Sequence, residues 1–457
     1  MNYRDFIQNK FKVKKDCGFE LDRNELNPKL FAYQKDLVLW GLRRGKSAFF
    51  TGTGTGKTFM QVEWAKHVHA RLNMPVLILS PLAVSVQTVN EARKLGIDVN
   101  LCREQAEVVN GINITNYEKL EHFVPVSFGG VVLDESSILK SFASATRNTI
   151  INGFRETPFR LACTATPAPN DFMELGNHSE FLDAMTRTEM LSMFFYHDGS
   201  DTAKWRLKGH AEDKFWEFVA SWAAILTMPS DLGYDNDGFE LPPLNYNEIV
   251  VKSNSIPEGW LFAFEAQNLQ ERRENRRSTT KERVAVCADI VNNSNDIHLV
   301  WCDFNIESEM LKKSIKDCVE VKGSDSPEYK EKAMLDFAAG KIKCLISKPS
   351  ICGFGLNFQV CHNMSFVGLS DSFEAYYQAV RRCYRFGQTK PVNVNIITSD
   401  LEGAVVENIK RKEKDSLRMH AAMVEHTKSF VKENIDNIKT YDRDYNPTQK
   451  IIIPSWI

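Results

Sequence analysis

The segment TGTGTGKT (51–58) constrains this chain more than any other. It follows the apolar run SAFF directly and leads directly into a helical pattern. Three glycines in one short loop let the backbone curl until successive N–H groups point at a single centre, which makes an anion nest at a helix N-terminus. Lys57 is then placed to reach β- and γ-phosphates, and the Thr58 hydroxyl to ligate Mg²⁺. The strict pattern G-x-x-x-x-G-K-[ST] asks for glycine where this chain has Thr51. That departure points away from kinases and small GTPases and toward helicase-like loops.

A phosphate loop of this kind belongs in a doubly wound sheet, and the rest of the chain supplies the strands. Ser47–Phe50, Val76–Ser80, Gly130–Leu133 and Phe159–Cys163 read as buried strands, and so do His298–Cys302, Lys343–Ser347, Ser365–Leu369 and Val392–Ile397. Short apolar runs separated by helical patterns indicate parallel sheets covered on both faces, the α/β class. The two halves share this alternation without a close sequence repeat. The reading is two doubly wound parallel-sheet lobes with a helical insertion between them. The first lobe covers 1–175, a helical insertion and linker 176–240, the second lobe 241–402, and a helical then irregular tail 403–457.

Composition agrees with such a plan. The 457 residues are 43% hydrophobic and 25% charged, with 57 basic against 59 acidic side chains. These values exclude disordered, collagenous and disulfide-scaffold classes. No run approaches the ~18–20 apolar residues of a membrane span. The start MNYRDFIQNKFKVKKD lacks the apolar core of a secretory signal, so a cytoplasmic location is expected. The ten cysteines are scattered without C-x-x-C spacing and read as free thiols. A net charge of −2 gives no global basic footprint, so a nucleic-acid partner has to be argued from motifs.

GGVVLDESS (129–137) supplies the second half of a magnesium–nucleotide site. An apolar strand ends there in Asp134 and Glu135, beside the phosphate-loop strand. Asp134 can hold the metal through water, and Glu135 can orient and deprotonate an attacking water. From the other sheet comes QAVRRCYRFGQ (378–388), in which Arg382 and Arg385 are three residues apart and share a helix face. Two guanidiniums arriving from a second lobe can neutralise charge on a transferring phosphoryl group. ERRENRRSTTKER (271–283) leaves two readings open, a solvated helix face or a phosphate-contacting surface.

In order along the chain, these segments resemble the motifs of superfamily 2 helicases, and among them the Swi/Snf-type DNA translocases. Gln34 in FAYQKDLVLWGL is similar to the adenine-reading glutamine, and TGTGTGKT to motif I. SPLAVSVQ (80–87) and ITNYEKL (114–120) resemble motifs Ia and Ib, DESS (134–137) motif II and CTATP (163–167) motif III. GFGLNFQ (353–359) resembles motif V, QAVRRCYRFGQ motif VI, and ELPPL (240–244) the segment that opens the second lobe. The match spans residues from about 30 to 400. Arg381 stands where the family usually has an acidic residue and Tyr384 where it has histidine. D-E-S-S and T-A-T also depart from the usual spelling, which places the chain at the family's edge, among compact phage-like members.

The resemblance implies two RecA-like lobes with ATP and Mg²⁺ between them. Gln34, Thr51, Gly52, Thr53, Gly54, Thr55, Gly56, Lys57 and Thr58 are expected to bind ATP, with Gly355 and Asn357 from the second lobe. Thr58 and Asp134 are expected at the metal, and Lys57, Asp134, Glu135, Gln378, Arg382 and Arg385 at the chemistry. Thr164 and Thr166 are expected to couple hydrolysis to lobe motion. Ser80, Pro81, Thr115, Asn116, Tyr117 and the segment after Trp301 are expected to line a DNA groove, without reading sequence.

The expected function is ATP-driven movement on duplex, single-stranded or branched DNA, by fork regression or branch migration. The tryptophan-bearing insertion is read either as a duplex wedge or as ordinary core. An RNA helicase is one rival reading. A nucleotide-gated ATPase subunit serving a nuclease or restriction partner is the other.

Overall fold

The expected strands form because their side chains are apolar on both faces and helices bury both. In the computed structural model, which describes residues 16–81, 84–140, 144–168, 171–198, 201–252, 269–352, 357–370, 372–400 and 402–435, the first sheet has seven parallel strands. They are β1 (Lys46–Thr51), β2 (Val76–Ser80), β3 (Val99–Leu101), β4 (Ile112–Asn116), β5 (Gly130–Asp134), β6 (Phe159–Thr164) and, after a hairpin of β7 (Phe195–Asp198) and β8 (Asp201–Leu207), β9 (Ala223–Leu226). Their spatial order is β3-β4-β2-β5-β6-β1-β9. Alternate residues enter opposite cores: Leu77 and Leu79 pack on one side with Phe50, Leu133 and Trp216. Val76 and Ile78 pack on the other with Phe49, Trp64 and Leu161.

The second sheet has six parallel strands: β10 (Leu244–Val251), β11 (His298–Cys302), β12 (Cys318–Val321), β13 (Cys344–Ser347), β14 (Asn363–Val367) and β15 (Val392–Ser399). Their order is β10-β15-β14-β11-β13-β12. Leu299 and Trp301 point into one core, Val300 and Cys302 into the other. Two doubly wound lobes are thus present, as expected from the strand pattern. All ten cysteines are free, and all but Cys17 are buried. No helix among the described residues is long and apolar enough to cross a membrane.

Two expectations are corrected. Within the expected helical insertion, the stretch FWEFVASWAAILTM (215–228) is not one helix. It breaks after the helix Glu212–Ala220, and Ala223–Leu226 becomes the edge strand β9 paired with β1. Part of the presumed insertion therefore belongs to the first sheet, and Trp216 and Trp222 are buried in its core rather than presented as a wedge.

The charged stretch at 271–283 is not a plain solvated face. Arg276 and Arg283 are buried against Asp303, Glu307 and Glu402, because the helices carrying them pack their polar stripe inward. Arg273, Arg277 and Lys281 remain exposed.

The tail contains the helix Gly403–Ile435. It begins on the second lobe, where Tyr246 Oη donates to Glu413 Oε1 at 3.1 Å. It ends on the first, where Met423 and Val424 enter one core and Val431 the other.

Candidate functional site

The phosphate loop leaves β1 at Thr51 and enters the helix Lys57–Leu72. Where the strict pattern has glycine, the Thr51 hydroxyl shares a 2.8 Å hydrogen bond with that of Thr55, which also donates to Gly52 O at 2.8 Å. Threonine at this position therefore braces the loop from inside. Lys57 Nζ donates to Thr51 O at 2.8 Å and Gly52 O at 3.0 Å, which holds the ammonium at the loop's mouth.

Two glycines are required by sterics as well as by positive φ. A Cβ at Gly54 (φ 88°) would stand 2.9 Å from the backbone N of Phe386 in the second lobe. One at Gly56 (φ 78°) would stand 2.3 Å from Gln34 Nε2. Gln34 itself is buried with its amide committed, its Oε1 accepting from Phe31 N (2.9 Å) and its Nε2 donating to Thr55 O (2.9 Å). In this state it braces the loop, whereas the resemblance assigned it to adenine.

Asp134 and Glu135 lie at the carboxyl end of β5, as expected, but β5 does not adjoin β1. β6 runs between them, so its end, Thr164–Thr166, sits at the centre of the site. Burial, reinforced by the charge of Glu135, pushes Asp134 up to about 6, and its Oδ1 accepts from Gln61 Nε2 at 2.7 Å. Glu135 adopts φ 55°, a left-handed conformation that a side chain with a Cβ holds only under constraint. Thr164 Oγ1 donates to Glu135 Oε2 at 3.3 Å and accepts from Thr166 N at 3.1 Å. Of the proposed coupling residues, Thr164 thus touches the proposed general base and Thr166 touches Thr164.

The second lobe closes on this site. Arg382 and Gln378 are buried together, with Arg382 donating to Gln378 Oε1 and O, each at 3.1 Å. Burial lowers the proton affinity of Arg382, and the nearby Glu135 and Asp134 charges oppose that effect. Burial, and then the neighbouring Arg382 charge, push Arg385 down to about 9. Lys57 is lowered by burial and supported by Glu135 and Asp134, with the Arg385 charge acting against it. Lys57, Glu135 and the two arginines therefore share one electrostatic environment although they come from two lobes. Phe386 packs on Phe239 of the linker at 4.8 Å and on Phe31 at 6.5 Å, which seals one side.

The residues fit a magnesium–nucleotide ligand. Thr53 Oγ1, Thr166 Oγ1, Asn357 Oδ1 and Arg385 Nε are buried without hydrogen-bond partners among the described residues, and Thr53 and Thr166 line one cavity with Gly52, Gly54 and Thr55. Gly355 lies outside the described residues.

A groove of about 710 Å³ runs between the lobes on the other side of Glu135. Pro81, Gln87, Thr115, Asn116 and Tyr117 line its first-lobe wall. Gln87 Oε1, Thr115 Oγ1 and Asn116 Oδ1 are buried there without partners among the described residues. Two expected groove residues behave differently. Ser80 is fully buried and its hydroxyl bonds Ser85 Oγ at 2.9 Å, so it serves the loop rather than a polymer. Tyr117 donates its hydroxyl to Asp134 O at 2.7 Å, tying the groove wall to the carboxylate strand. The second-lobe wall is made by Lys330, Met334, Leu335 and Ile351. The segment after Trp301 instead engages Arg276 through Asp303.

Sequence reasoning missed Gln61, Ser137, Lys140 and Glu374, and the terminal-helix residues His420 and Met423 in the cavity wall. Only Gln61, three positions after Thr58 and so on the same helix face, carried a readable signal.

Residues 275–387 match the family model described as the helicase conserved C-terminal domain. A comparison with curated proteins finds no match. Among solved structures, the chain is similar to the Sulfolobus solfataricus SWI2/SNF2 ATPase core in complex with dsDNA. Sequence identity is 16%, the alignment covers 91% of this chain and 99% of that one, and the TM-score is 0.43. The matched residues lie in the second lobe, so that lobe is similar to the helicase C-terminal domain, and the phosphate loop lies in the first.

Proposed function

We propose that this chain is an ATP-dependent motor of the Swi/Snf type that moves along DNA, with its work on branched DNA in replication or recombination. The observation that carries the reading is the shared electrostatic environment of Lys57 and Glu135 from one lobe with Arg382 and Arg385 from the other. Hydrolysis at such a place is inseparable from lobe closure. The groove with partnerless Gln87, Thr115 and Asn116 runs beside Glu135, so a polymer there and a nucleotide in the cleft would bias the same closed state. Neutral polar groups of this kind suit sugar–phosphate contacts without sequence readout.

Thr58 and Asp134 would hold Mg²⁺, which supplies positive charge to the phosphates when bound. Glu135, held by Thr164, takes the proton of the attacking water. Lys57, Arg382 and Arg385 neutralise charge that develops on the phosphoryl oxygens. DNA rather than RNA follows from the Swi/Snf spelling of QAVRRCYRFGQ, and a cytoplasmic location accords with both ligands.

The test is steady-state ATP hydrolysis titrated in parallel with single-stranded DNA, duplex, a four-way junction and RNA. Stimulation by DNA, greatest on the junction, is expected, and Lys57→Ala abolishes turnover. Equal stimulation by RNA would replace the DNA reading with an RNA helicase, and none by any polymer would favour an ATPase gated by a protein partner.

A further inference from the structure

The turn that follows the catalytic carboxylates is tied to the second lobe through one side chain. Ser137 and Lys140 lie in the short helical segment Ser136–Lys140, immediately after Glu135. Ser137 Oγ donates to Glu374 Oε1 at 3.2 Å, and Lys140 pairs with Glu374 Oε2. Both oxygens of one carboxylate are thus used, each by a different residue of the first lobe. Glu374 is the second residue of the helix Phe373–Val380, and its side chain is only 18% exposed.

Glu374, Gln378 and Arg382 follow one another at intervals of four and occupy one stripe, with Arg382 in the turn that prolongs the helix. Whatever fixes Glu374 therefore fixes the rotation and axial position of the stripe that brings Arg382, with Gln378 bonded to it, into the field of Glu135. None of the family-like motifs used above includes Glu374.

We propose that Glu374 is a positioning residue, an interlobe latch that grips the turn after Asp134 and Glu135 and sets the arginine-bearing helix in register with them. This rests on the ATPase reading above. The contact exists only while the lobes are together, so it contributes to the closed state and nothing to the open one. Its loss is expected in turnover more than in nucleotide affinity.

The experiment uses the full-length chain with saturating duplex DNA, in four forms: wild type, Glu374→Lys, Lys140→Glu and the double exchange. Each single variant is expected to lower kcat about tenfold with KM for ATP changed less than about twofold, and the double exchange to recover most of the loss. Glu374→Gln, which keeps the Ser137 bond and loses the ion pair, is expected to fall between wild type and Glu374→Lys. Its unchanged circular dichroism melt separates a lost latch from a lost fold.

Small-angle scattering gives a readout independent of hydrolysis. Glu374→Lys is expected to enlarge the radius of gyration and the double exchange to restore it. Expansion with restoration, in a wild type that fails to hydrolyse ATP, would sink the ATPase reading and leave the latch standing. Single variants with wild-type kcat and unchanged scattering would overturn the latch. So would a double exchange no better than the worse single variant, or a rise in KM alone.

Discussion

Arg385→Ala separates function from stability at one position. Burial, and then the neighbouring Arg382 charge, push Arg385 down to about 9, and its Nε has no hydrogen-bond partner among the described residues. A base whose folded pKa lies below its unfolded one costs stability at every pH below the folded value. At about 1.4 kcal/mol for each tenfold loss of proton affinity, carrying this guanidinium costs up to about 5 kcal/mol at neutral pH. Truncation to alanine gives back about 1–2 kcal/mol of that in lost packing. The nucleotide-free variant should therefore be more stable by about 3 kcal/mol, a rise of several degrees in the melting of its lobe.

Turnover should move the opposite way. An arginine that meets the transferring phosphoryl group is worth about 10³-fold or more in kcat, while ATP affinity should change little. Differential scanning fluorimetry with and without a non-hydrolysable nucleotide, beside steady-state hydrolysis, reads both effects. A variant that melts lower without nucleotide would show Arg385 to be a structural cation, and one with unchanged turnover would remove it from the chemistry.

Three further outcomes are expected. Tyr117→Phe removes the 2.7 Å bond to Asp134 O and should cost about 1 kcal/mol in stability. It should also lower polymer-stimulated hydrolysis more than basal hydrolysis, and equal losses would show that Tyr117 does not link the groove to the carboxylates. Glu402, 1% exposed, faces Arg276 Nε at 3.7 Å and Arg283 Nε at 3.4 Å. Glu402→Ala strands buried charge and should destabilise the second lobe by about 3–5 kcal/mol in urea, and a loss under about 1 kcal/mol would refute that account. His298, 3% exposed and without a partner at either ring nitrogen among the described residues, is pushed down to about 4, chiefly by burial. Its folded pKa lies below its unfolded value, so stability is full above about pH 6.5 and lost as pH falls toward 4, by up to about 3 kcal/mol. His298→Leu should flatten that dependence in equilibrium unfolding measured across the same pH range, and an unaltered slope would exonerate this histidine.

Much of the architecture was legible because it rests on local pattern. Strands such as Val76–Ser80 and His298–Cys302 are apolar at nearly every position and buried throughout, and only a sheet covered on both sides accommodates that. β3, β9 and β12 were not legible, since three- or four-residue strands carry too little periodicity; β4, the hairpin β7–β8 and the largely exposed edge strand β10 were not read either. β9 was further hidden by continuing the apolar run of the helix before it.

Which groups could do chemistry is written in the order of the residues. The glycines, Lys57 and Thr58 are consecutive, and Asp134–Glu135 and Arg382–Arg385 are local pairs whose residue types announce their use. Tertiary structure alone decided what those groups meet. It placed Thr164 against Glu135 by running β6 between β5 and β1, and set the hydroxyl of Tyr117, on the groove wall, against Asp134 O. It also buried Arg276 and Arg283 among carboxylates and brought Glu374 to Ser137 across 237 residues of chain. Such contacts follow from strand order and lobe closure, and no local pattern of side chains encodes either.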